Sequence, residues 1–198
     1  MRYRMRTGSA LLALVCLALP SRPVLASGAS GFARAAAPAN GPGQQSKDPL
    51  SDAESDQIAE VRDQPVARIK LYQKFIEQRI AAIKDLGANP RAEDRKAELR
   101  ARFEEFTRLS DELQDNLDTF DEAHADIRKA LKDLVPASAK WPEVLKQAVP
   151  DQAYDFSRMT ALDAAQSTSD EARKLLESQN KYFAEHKDEA GKNGTGPS

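Results

Sequence analysis

Cysteine, glycine and long apolar runs are all scarce in this 198-residue chain, and each scarcity excludes something. Cys16 is the one cysteine, so no intrachain disulfide and no paired-cysteine metal or redox motif can form. Of nine glycines only Gly87 lies between Gln44 and Ala190, and no glycine-rich phosphate loop is present. The two histidines, His124 and His186, have no recognisable serine and aspartate arrangement around them, which argues against nucleophilic catalysis. No catalytic, cofactor or metal signature is expected. Beyond the first residues, no segment is apolar enough to span a bilayer.

What is present begins with an export signal. Arg2, Arg4 and Arg6 form a basic start, Ala10 to Leu19 a short apolar run, and Val24-Leu25-Ala26 a cleavage site before Ser27. Residues 1–26 are thus expected to be removed after Ala26, in a protein bound for the periplasm or the extracellular space. Cys16 lies inside the signal; Val15 before it does not suit lipidation. Cleavage takes away four arginines and no acid, moving the formal charge from −2 to about −6 and arguing against nucleic-acid and anionic-membrane partners. Residues 27–50, rich in Gly, Ala, Pro, Ser and Gln, read as a disordered linker, 51–187 as one helical domain, and 188–198 as a disordered tail.

The domain carries a seven-residue apolar rhythm. Leu99, Phe106, Leu113, Phe120, Ile127 and Leu134 recur at heptad steps, with Phe103, Ser110, Leu117, His124 and Leu131 four residues after the first five. No Gly or Pro interrupts Arg91 to Val135. The pattern predicts one rod from Arg91 to about Leu134, roughly 65 Å long, with a possible bend at Asn116, Asp118 and Thr119, poor helix formers together. Before it, Ser51-Asp52-Ala53-Glu54 reads as a capping box, Pro65 as a kink or a new start, and Val66, Ile69, Tyr72, Ile76, Ile80 and Ile83 as a stripe ending at Gly87. After it come a short helical turn with Trp141, expected to plug the end of the core, and a third helix from Asp151 to Lys187. That helix shows a thinner stripe through Tyr154, Met159, Leu162, Ala165, Ala172, Leu176 and Phe183, and a second capping-box spacing at Thr168 and Glu171 suggests a break near Ser167. The expected fold is all-α: an elongated, coiled-coil-like antiparallel three-helix bundle.

Candidate sites are few. His124 falls on a core heptad position, where a polar residue ordinarily sets register. Asp121 lies three residues before it, but the matching carboxylate–histidine sets of a di-metal bundle are absent. An antiparallel fold places His124 near the level of Met159, a pair able to ligate haem. From Asp111 to Asp126 there are seven acids and no Lys or Arg, with Asp111, Asp115, Asp118 and Glu122 on one outward face. Such a face is ordinarily solvated, and its functional reading is attraction of a basic partner or weak binding of divalent cations. No EF-hand spacing accompanies it.

The leading expectation is a non-enzymatic exported protein acting through protein–protein contact, as a scaffold or interaction module of the cell envelope. Its phenylalanine-rich seam exceeds what a thin third helix covers, so self-association or a helical partner is expected to complete it. The alternatives are a carrier of haem or a metal inside the bundle, and an extracytoplasmic chaperone-like protein. The Leu-Thr-x-x-Gln repeats of small periplasmic helical chaperones are absent.

Overall fold

A computed structural model describes residues 48–191, and every described element is helical. The expected export signal, most of the expected linker and residues 192–198 lie outside the described residues. The helices are α1 (Asp52–Glu60), α2 (Pro65–Ala88), α3 (Arg95–Glu122), α4 (Arg128–Ser138), α5 (Trp141–Lys146) and α6 (Asp155–Glu185). None is long and apolar enough to cross a membrane.

Local chemistry explains the first boundaries. The Ser51 hydroxyl accepts from the Glu54 backbone N–H while the Glu54 carboxylate accepts from the Ser51 N–H, completing the capping box. Pro65 takes the first position of α2, where its missing N–H has no cost. It starts a new helix rather than kinking one. The fold also begins before Ser51: Pro49 is buried, and its carbonyl accepts from Arg79.

The long second rod does not exist. α3 stops at Glu122, and α4 starts at Arg128. The stop is a Schellman motif with His124 in the left-handed position (φ 51°): His124 N–H donates to the Asp121 carbonyl and Ala125 N–H to that of Phe120. Such an ending is usually marked by glycine, and histidine conceals it in the sequence. The heptad continued across the break because α4 has its own stripe, with Ile127, Ala130, Leu131 and Leu134 all buried in the same phase. Pro136, expected to end the rod, instead lies exposed within α4.

This break changes the topology. α2 and α3 are antiparallel, with Arg79 beside Glu105. α4 then runs back along α2, bringing Asp133 within 2.8 Å of Lys70 and Trp141 edge-on against Phe106. α6 runs parallel to α3: Glu104 meets Ser157, Gln114 meets Thr168 and Asp121 meets Gln179. α2 therefore packs on α3 and α4, α6 packs on the same two, and α3 and α4 lie across a diagonal. The all-helical class holds, whereas the expected three-helix path is replaced by four packed members, the fourth made of α4 and α5. Trp141 fills the core at the level of Phe106, not at an end of the long helices.

One further expectation changes. α6 is continuous, with no break near Ser167: Thr168 is buried inside it, donating to the Ala164 carbonyl and accepting from the Gln114 side chain. α1 packs on α2, and its Glu54 pairs with Arg79.

In the α3 seam, Phe103, Phe106, Leu109, Leu113 and Leu117 are fully buried within one chain, and Phe120 is half-buried. α6 presents mostly small residues to them (Ser157, Ala161, Ala164, Ala165, Ala172), so the helices approach closely enough to cover the aromatic rings.

Candidate functional site

Three regions carry polar or apolar groups beyond the needs of the core. The first is the α3–α4 turn. Gln179, buried on α6, reaches across it: its side-chain amide donates to the Ala125 carbonyl (3.0 Å) and Asp121 Oδ1 (3.2 Å), and its oxygen accepts from Ile127 N–H (3.2 Å). One side chain thus serves both strands of a sharp reversal. His124 is exposed at its tip and does not occupy the core. Its ring stacks on Tyr182 at 4.8 Å, and His186 also stacks on Tyr182, at 4.2 Å. Met159 lies on the same helix as Tyr182, about 35 Å away at 1.5 Å per residue. The expected His124–Met159 pair is therefore not brought together. Among the described residues, no three His, Asp or Glu side chains converge as a metal site.

The second region is the acidic flank. Asp111, Asp115, Asp118 and Glu122 are all exposed on α3, on the face the spacing indicated. The parallel α6 adds a member the sequence did not reveal. Glu171 is half-buried and shares a hydrogen bond with Asp118; burial, then that bond and the nearby Asp118 and Asp115 charges, push its carboxyl up to about 7, against the pull of Lys174. Near neutral pH, Glu171 is thus protonated for part of the time. Burial, together with the Asp115 charge, also raises the Asp111 carboxyl. The Thr168–Glu171 spacing predicts a cap for a new helix instead, and nothing in the sequence sets α6 parallel to α3.

The third region is apolar and exposed. Phe156, in the first turn of α6, is 84% exposed; Met159 is 47% exposed and Val149 70%. Beside Phe156 runs an open groove of about 250 Å³, walled by Glu104, Thr107 and Arg108 of α3 and by Ser157 and Thr160 of α6. Each hydroxyl in its wall donates within the chain: Thr107 to the Phe103 carbonyl, Thr160 to that of Phe156, and Ser157 to Glu104 Oε1. The groove therefore offers methyl and methylene surface to whatever enters. Phase was the available signal: Phe156 falls outside the buried α6 stripe of Ala161, Ala165, Thr168, Ala172, Leu175, Gln179 and Phe183. Met159, expected in that stripe, lies off it, because the polar residues Thr168 and Gln179 belong to the buried face and apolar periodicity does not mark them.

No family model, curated protein or solved structure matches the chain.

Proposed function

We propose that this chain is an exported, non-enzymatic helical protein that works by protein–protein contact, with the Phe156 groove as its contact surface. One observation carries the reading: a ring left almost wholly in solvent beside a groove whose hydroxyls are all satisfied internally. Exposed apolar patches of this kind, rimmed by charge, are where soluble proteins bind partners. The reason for expecting contact has changed, since the α3 seam is covered within the chain and the first turn of α6 is not. Export follows from the basic, apolar and small-residue sequence of residues 1–26. The acidic flank through Asp111, Asp115, Asp118 and Glu122 adds a field that favours approaching basic surfaces and disfavours nucleic acids.

Photo-crosslinking tests the reading. A benzophenone side chain placed at position 156 in the producing cell is expected to give a discrete protein adduct. The same probe at Gln78, exposed on α2, is expected to give none. Equal labelling at the two positions, or no adduct at 156, refutes it.

A further inference from the structure

We infer that the α3–α4 turn is a hinge: straightened, it joins the two helices into one, and two copies of the chain then exchange α4, α5 and α6 as a swapped dimer. The sequence of the turn suits the straight form. Residues 121–127 hold no Gly or Pro, and Ala123 and Ala125 are strong helix formers. Ile127, Leu131 and Leu134 fall two heptads after Leu113, Leu117 and Phe120, so one helix through the turn keeps a single apolar face. A rod from Arg95 to Ser138 is about 66 Å long, enough to leave one copy's core and enter the next.

The bent form depends on two features that the straight form does without. His124 sits in the left-handed region (φ 51°), which a residue with a side chain adopts at a cost. Gln179 must also reach across from α6 to serve the Ala125 carbonyl and the Ile127 N–H. In a continuous helix Ile127 N–H donates to the Ala123 carbonyl instead, and the Ala125 carbonyl accepts from Lys129 N–H. The backbone of the turn is therefore satisfied either way. So is the core. Lys70 meets Asp133, Phe106 meets Trp141 and Gln114 meets Thr168 across the two halves of the fold. Exchange replaces each element with its identical counterpart, so these contacts re-form between copies. Chain concentration then decides between the two forms.

The test uses the full chain, made with light and with heavy nitrogen, mixed in urea and refolded at about 100 μM. Sedimentation equilibrium is expected to show a mass rising toward twice 21.8 kDa. A carbodiimide joins Lys70 to Asp133, which lie 2.8 Å apart and are both accessible, and in the dimer this link is expected to connect light chains with heavy ones. His124→Ala and Gln179→Met penalise the bent form alone, and each is expected to raise the association constant by about tenfold per hinge. His124→Gly relieves the turn and weakens the helix, and is expected to lower it. A wild-type chain that sediments as a monomer throughout overturns the inference. So does a dimer whose Lys70–Asp133 links never mix the two isotopes, since it pairs intact copies side by side. Association constants unmoved by the three substitutions overturn it as well.

Discussion

Replacing Gln179 perturbs the fold at the point where its topology is decided. The side chain makes three hydrogen bonds to the α3–α4 turn, two of them to backbone groups of Ala125 and Ile127, which are themselves buried. In Gln179→Met the volume is nearly kept but all three bonds are lost. A buried polar group left without a partner costs about 1–3 kcal/mol. The Asp121 carboxylate can turn to solvent and adds little. Two orphaned backbone groups then give a destabilisation of about 2–6 kcal/mol, lessened if water reaches the small cleft of about 100 Å³ beside His124 and Tyr182. Gln179→Glu keeps an acceptor for Ile127 but loses the donor and meets Asp121, so its loss is expected to be greater at neutral pH than in mild acid. Urea unfolding, followed through the single buried Trp141 and by circular dichroism, measures these values. Amide exchange at Ile127 reports the turn directly and is expected to accelerate in the variant. A loss below about 0.5 kcal/mol in Gln179→Met, the range of an inert surface change, refutes the clamp.

Other sites give independent checks. Arg79 holds Glu54 through two oxygens at 2.6 and 2.7 Å, with Glu105 at 3.2 Å, all largely buried; Arg79→Met leaves the Glu54 carboxylate without its cation, while Glu105 keeps Arg102, and is expected to cost about 3–5 kcal/mol in a denaturant titration. The hydrogen bond from Arg79 holds the Glu54 carboxyl down at about 2, so its contribution is full above about 4.5 and is lost as pH falls through 2; Glu54→Gln is expected to flatten the acid limb of the stability curve. Glu171 has the opposite sign. Its raised value means that the folded chain keeps a proton between pH 4.5 and 7 that the unfolded chain releases, so stability falls as pH rises through that window; in Glu171→Gln the slope is expected to vanish, and a persisting slope disproves the assignment. Phe103→Ala, in the fully buried seam, is expected to cost about 3–5 kcal/mol by thermal or urea melts.

The local half of this fold was legible in the sequence. The capping box at Ser51, the start at Pro65 and the α2 stripe through Ile69, Tyr72, Ile76, Ile80 and Ile83 all depend on interactions within a few residues, and composition reveals those. The candidate site was less legible. Apolar phase shows which residues of a helix share a face but not the neighbour that covers it, so it neither marks Phe156 as exposed nor separates Met159 from the core. The acidic flank was visible as a run on α3, while its sixth-helix member Glu171 depended on which helix lies alongside.

From its order of residues alone, the chain determined its helical class, the greasy stripes and the sign of its charge, because each is a property of short-range periodicity and composition. Tertiary structure decided where the chain turns. A left-handed histidine ends α3, and Gln179, fifty-two residues beyond Ile127, satisfies the backbone groups that the turn exposes. That long-range satisfaction of buried N–H and C=O groups converts one apparent rod into two helices packed across a diagonal, sets α6 parallel to α3, and leaves Phe156 outside the core.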